Sequence, residues 1–240
     1  MIMKRIITCL IIVTMMFGLM SQRALAAKDS DVKSVYKLTS ATEIKDTNRD
    51  YLIIVNDQRP YEFGGFYDIN LRDDLVYFPN VVDGDIMAVE KATYLAFTML
   101  QRDLKKEGIE IGLYDGYRTA DDQQFLIDIM GSSMQKVVQP GYSEHHTGLV
   151  LDIVVWSNAE DANYAWYSES AERSKTMPVF KRVHEKMVDY GFIDRYPEGK
   201  EYITGMPYIP YEIRYVGSPE IAHAISDNGL CLEEYVKSLQ

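Results

Sequence analysis

Between Asp85 and Glu107 the apolar residues Val89, Ala92, Ala96, Met99, Leu100 and Leu104 recur at three- and four-residue spacings, and Gly108 follows at once. Such a stripe on a helix of 3.6-residue period has to be buried against another element, so the chain must supply a second layer. The glycine ends the helix, because glycine enters the left-handed conformation at little cost. Candidates for the second layer are β-rich runs: Tyr51-Leu52-Ile53-Ile54-Val55, ended by the polar Asn56 to Pro60, then Ile109 to Tyr114, Leu149 to Trp156 and Ile213 to Val216. Another helix is predicted from Ala120, with Asp121 and Asp122 in the first turn where the helix dipole favours acids. A third spans Val179 to Tyr190 and stops at Gly191. Helices and strands mix without a regular βαβ rhythm, which predicts an α+β fold with no internal repeat.

The amino terminus reads differently. Lys4 and Arg5 precede an uncharged apolar run from Ile6 to Met20, and Ala24-Leu25-Ala26 follows. That order predicts a secretory signal peptide over residues 1–26. The run, about 15 residues, is shorter than the roughly 20 of a comfortable transmembrane helix, so an uncleaved anchor is the second choice. Residues 27–49 are polar and aperiodic and read as a linker or extension, leaving 50–240 as one domain. Loss of Lys4, Arg5 and Arg23 leaves about 22 basic against 36 acidic residues, a net charge of roughly −14. That surface argues against nucleic acid and anionic lipid as partners. Cys231 alone would remain in the exported chain, and one thiol closes no internal bridge. An exported chain without disulfides suits a Gram-positive surface, with the domain in the cell wall or on the outer face of the membrane.

Two of the four histidines sit together in Pro140-Gly-Tyr-Ser-Glu-His-His-Thr-Gly-Leu-Val-Leu-Asp152. His145 lies in a glycine-bounded loop and Asp152 in the run that follows, so a loop that folds back brings imidazole and carboxylate onto one zinc ion. Spacing alone leaves another reading open, a polar loop capped by two hydrogen-bonding histidines.

Ser143-x-His145-x-x-Gly148-x-Val150-x-Asp152 resembles the Ser-x-His-x-x-Gly-x-Ala-x-Asp signature of the VanY-type D-alanyl-D-alanine carboxypeptidases, a zinc peptidase family shared with the D-Ala-D-Ala dipeptidases. Val150 is the one change. Asp115-Gly-Tyr-Arg118-Thr-x-x-x-Gln123 resembles that family's Ser-Gly-Tyr-Arg-Ser-x-x-x-Gln, and Tyr190 to Pro197 with Ile203-Thr-Gly205 resembles the stretch before its last motif. The resemblance covers about residue 50 to residue 217. It implies a compact fold with a small antiparallel sheet and packed helices. It also implies hydrolysis of the terminal D-Ala from peptidoglycan stem peptides ending in D-Ala-D-Ala by a zinc-bound water. No protein partner is implied. In a glycopeptide-resistant host such an activity would lower the supply of D-Ala-D-Ala termini.

By this resemblance His145 and Asp152 are zinc ligands, and Arg118 meets the scissile carbonyl or the substrate carboxylate. Arginine suits that role, since its planar fork stays charged and can stabilise a developing oxyanion; a loop-bracing salt bridge is the alternative. Gln123, Ser143 and Tyr211 are weaker candidates for polar contacts to the peptide.

The last motif departs from the family. Where the family has Glu-Pro-Trp-His-x-Arg-Tyr-Val-Gly, with Glu as general base and His as third ligand, this chain has Ile209-Pro-Tyr-Glu212-Ile-Arg-Tyr-Val-Gly217. Isoleucine accepts no proton. Glu212 can bind zinc through oxygen, or can act as a displaced base, so it is a candidate for both ligand and catalytic residue. Two carboxylates on one ion would acidify its water less than one does. Asp115 is another candidate base, with a salt bridge to Arg118 or a turn cap as its plainer role. His146 and His184 are candidate substitute ligands, each with a hydrogen-bonded structural role as the alternative. These changes bring in a competing expectation, a pseudoenzyme that binds stem peptides without turnover; an endopeptidase of the same family is a third.

Overall fold

The structure, a computed structural model, describes residues 49–81, 84–130, 137–156 and 178–240. The expected signal peptide and nearly all of the expected linker lie outside these residues. Among the described residues no helix is long and apolar enough to cross a membrane.

The order of elements is α1 (Phe66–Asp73), β1 (Leu75–Pro79), β2 (Ile86–Glu90), α2 (Lys91–Lys106), β3 (Glu110–Asp115) and α3 (Ala120–Met130). A 3-10 turn (Glu144–Thr147) then leads into β4 (Val150–Trp156), α4 (Pro178–Met187), β5 (Phe192–Tyr196), α5 (Glu201–Thr204), β6 (Ile209–Tyr215), α6 (Pro219–Ser226) and α7 (Leu232–Ser238). β1 and β2 form a hairpin, and the main sheet runs β3-β4-β6-β5. Every pairing is antiparallel, so the α+β expectation holds.

The long periodic stretch divides. Ile86 to Glu90 is strand, with Val89 paired to Val76, and the helix begins at Lys91. Glu90 makes the break by accepting from the Thr93 N–H at 2.8 Å, which satisfies one of the donors a helix start leaves over. From there the predicted stripe is buried except at Met99, which is half-buried: Ala92, Ala96, Leu100 and Leu104 join Ile111, Leu151, Val155 and Phe180 in one core. Gly108 follows the helix with φ +78°. The helix predicted over Val179 to Tyr190 is α4 plus a 3-10 turn (Val188–Tyr190), closed by Gly191 at φ +82°.

Tyr51 to Val55 is not a strand, although its composition predicts one. Side chains take several of its backbone groups: Arg214 Nη2 donates to the carbonyls of Tyr51 and Ile53, and the Val55 N–H donates to Glu144 Oε1. Arg49, at the end of the expected linker, is packed into the fold, 2.6 Å from Asp74 Oδ2 and 3.6 Å from Glu90 Oε1.

Candidate metal centre

Asp152 on β4 and Glu212 on β6 are register partners, which puts their side chains on the same face of the sheet. His145 reaches them from the 3-10 turn before β4, which ends at Gly148 with φ +70°. One ligand atom from each of the three lies within 4.8 Å of the others. His145 Nε2 is 3.7 Å from Asp152 Oδ1 and 3.9 Å from Glu212 Oε1.

The tautomer of His145 follows from its other nitrogen. Nδ1 is 2.6 Å from the Gly116 carbonyl, which only accepts, so Nδ1 carries the hydrogen and Nε2 turns a lone pair toward the two carboxylates. Burial and the nearby Arg118 charge hold the imidazole well below its ordinary pKa. Burial, and then the Asp152 charge, push the Glu212 carboxyl well above the carboxylate range. A lone pair and two acids crowded together are disfavoured without a cation. In a tetrahedral zinc site, bonds of about 2.0–2.2 Å put ligand atoms about 3.3–3.6 Å apart, so His145 Nε2 is within a few tenths of an ångström of that spacing to each carboxylate. The donor set therefore fits a divalent metal.

The loop carrying Arg118 is fixed from both sides. The Tyr117 N–H donates to the Ala88 carbonyl at 2.7 Å, and the Arg118 N–H to the His145 carbonyl at 3.2 Å. Gly116 can pass so close to β2 only without a side chain, since a Cβ there would lie 2.5 Å from Ala88 O. The Arg118 guanidinium lies 2.7 Å from Asp115 Oδ2 and 3.4 Å from Asp152 Oδ2, beside the cluster.

The other sequence candidates separate by their partners. Asp115 braces Arg118 and accepts from the Gly116 N–H, the plainer of its two expected roles. Gln123 accepts from Arg118 Nη1 at 3.4 Å and donates to the Val138 carbonyl at 2.8 Å. Ser143 and Tyr211 are buried, Ser143 as the cap position of the 3-10 turn and Tyr211 within the core cluster. His146 is outside the metal cluster: its Nε2 accepts from the Gly141 N–H, its Nδ1 donates to the Arg118 carbonyl, and its ring meets Phe63 edge-on. His184 is also outside it, bonded to the Pro210 carbonyl. Ile209, at the family's base position, is buried in the apolar core.

Sequence reasoning missed Glu144. It is fully buried between Arg195, at 2.9 Å, and Arg214, at 2.7 Å, and Arg195 also pairs with Glu233 at 2.7 Å. This cluster pins the turn that carries His145 to β5 and β6. The available signal was an acid inside the histidine segment together with arginines in the two later motifs.

A family model described as VanY, D-alanyl-D-alanine carboxypeptidase, matches residues 87–218. YodJ of Bacillus subtilis (strain 168) is 40% identical over 142 residues, 57% of this chain and 49% of YodJ. A D-alanyl-D-alanine carboxypeptidase of Enterococcus faecium is 30% identical over 194 residues, 79% of this chain and 58% of the relative. The chain thus spans about half the length of these two curated relatives. Among solved structures, a variant of the vancomycin resistance D,D-pentapeptidase VanY from a VanB-type cassette, in complex with Zn(II), aligns with TM-score 0.58 at 28% identity. That alignment covers 78% of this chain and 98% of the other.

Proposed function

Because the chain belongs to the VanY family of D-alanyl-D-alanine carboxypeptidases, we propose that it is an exported zinc peptidase that removes the terminal D-Ala from peptidoglycan stem peptides ending in D-Ala-D-Ala. The observation that carries this reading is the convergence of His145, Asp152 and Glu212 on one point beside Arg118. Zinc held by those three residues would supply Lewis-acid polarisation and a more acidic water.

The chain's own residues do the rest. The Gly116 carbonyl fixes the His145 tautomer, so that Nε2 is free to ligate. Asp115 and Gln123 hold the Arg118 guanidinium, which offers a fixed positive charge to the peptide carboxylate or to the oxyanion that forms at the scissile carbonyl. Glu212 is the third ligand. The usual base position is Ile209, and loss of a positioned base costs about 10²- to 10⁴-fold in rate, so slow turnover is part of the proposal. Ile209 in the apolar core also favours a second reading, a stem-peptide-binding protein without turnover.

The test is metal content together with D-Ala release from a pentapeptide precursor. We compare wild type, Ile209→Glu, Glu212→His and the double variant. The double variant is expected to exceed wild type, and each single change to do less, because groups acting on one water are strongly non-additive. Metal binding with no D-Ala release from wild type would leave the binding-protein reading. A wild type that is fast, with a slower double variant, would refute Glu212 as a plain ligand.

A further inference from the structure

β6 is held unevenly along its length. β4 pairs with it from Glu212 to Arg214, while β5 pairs from Ile213 to Tyr215 and again at Ile209, with an irregularity between Asp194 and Tyr196. Pro210 falls in neither register, and a proline has no N–H to give to a ladder. Its carbonyl accepts from His184 Nε2 at 2.9 Å, and since a carbonyl only accepts, Nε2 carries the hydrogen. Nδ1 of the same ring lies 3.3 Å from Asp194 Oδ1 on β5, a close contact between the two side chains. Phe180, one turn earlier on α4, meets the imidazole edge-on at 6.2 Å. One ring thus ties α4 to β5 and to the part of β6 two residues before Glu212.

We propose that His184 is a positioning residue for the metal centre: packed against Phe180 and beside Asp194, it holds the Pro210 carbonyl and thereby fixes where β6 presents the Glu212 carboxylate. Its effect on metal rests on the reading of Glu212 as a ligand; the brace on β6 does not. A histidine singled out in sequence as a substitute ligand is instead a support for the ligand-bearing strand.

The test compares the full protein with His184→Leu, which removes the donor, and His184→Gln, whose amide nitrogen can take the place of Nε2. Zn²⁺ affinity is measured by chelator competition, site geometry by the absorption spectrum of the Co²⁺-loaded protein, and the brace by hydrogen exchange of the amides from Tyr211 to Ile213. Leucine is expected to weaken Zn²⁺ binding by roughly 10-fold or more, to shift the Co²⁺ spectrum, and to speed exchange in β6 while β3 stays protected. Glutamine is expected to return all three toward wild type. Native affinity and spectrum in His184→Leu, exchange that rises equally in β3 and β6, or a glutamine variant no better than leucine would each overturn the proposal. If wild type binds no metal, the zinc reading has failed, and exchange alone decides the brace: a rise confined to β6 and reversed by glutamine supports it, and no such rise refutes it.

Discussion

His145 and Asp152 reach the same point from one short segment, and each offers a ligand atom to a metal. His145→Ala or Asp152→Ala is therefore expected to reduce bound zinc from about one per chain to none after dialysis, as read by elemental analysis. Retention of stoichiometric metal in either variant would exclude that residue from the site. Arg118 differs in kind, because it touches Asp152 and Asp115 without being a ligand. Arg118→Lys should leave metal content unchanged and lower kcat/KM for a D-Ala-D-Ala peptide by roughly 10²-fold, the loss typical of one oxyanion donor. Equal kcat/KM in the two proteins would remove Arg118 from the substrate site.

At the scale of elements, the site depends on a close crossing between the Gly116 loop and β2. Gly116→Ala places a Cβ 2.5 Å from Ala88 O and 2.7 Å from Val89 Cγ2, so backbone has to move. We expect a loss of about 1–3 kcal/mol of stability, the usual cost of overpacking. Zn²⁺ binding should also weaken by roughly 10-fold, because the displaced carbonyl is the one that orients His145. Gly108→Ala is the control. That position also has positive φ, but a Cβ there meets nothing, and it lies at the end of α2. It should cost about 1 kcal/mol with metal affinity intact; urea unfolding and zinc titration of both variants separate the two effects. Equal metal affinity in wild type and Gly116→Ala would show that the crossing does not set the site.

For the whole molecule, the unfavourable charges of the site couple metal, pH and stability. The Glu212 carboxyl is raised above its unfolded value. Below the unfolded carboxyl pKa both states hold the proton; as pH climbs above it the unfolded chain ionises first, and the metal-free fold loses stability. Metal requires the ionised carboxylate, so Zn²⁺ binding should release a proton and tighten as pH rises toward the folded Glu212 pKa. Calorimetry in buffers of different ionisation enthalpy reads that proton, and Tm should rise with zinc concentration. Binding that neither releases a proton nor varies with pH would contradict the raised Glu212. The sequence by itself determined the stripe of α2 and its stop at Gly108, because each is written within about 25 residues as a period or a turn residue, and the α+β class, because helical and strand runs mix along the chain without a βαβ rhythm. The pair His145 and Asp152 was legible through its motif's resemblance to the family signature, since the spacing alone left a histidine-capped loop open. Tertiary structure decided the rest. Val89 fits a two-residue period as well as a helical one, and pairing with Val76 made it strand. Tyr51 to Val55 has strand composition, yet its carbonyls went to Arg214, more than 160 residues away. Glu144 with Arg195 and Arg214, and His184 with Asp194 and Pro210, are joined across distant segments by burial. A buried charge must find a partner wherever the fold brings one, and no local pattern records which it will be.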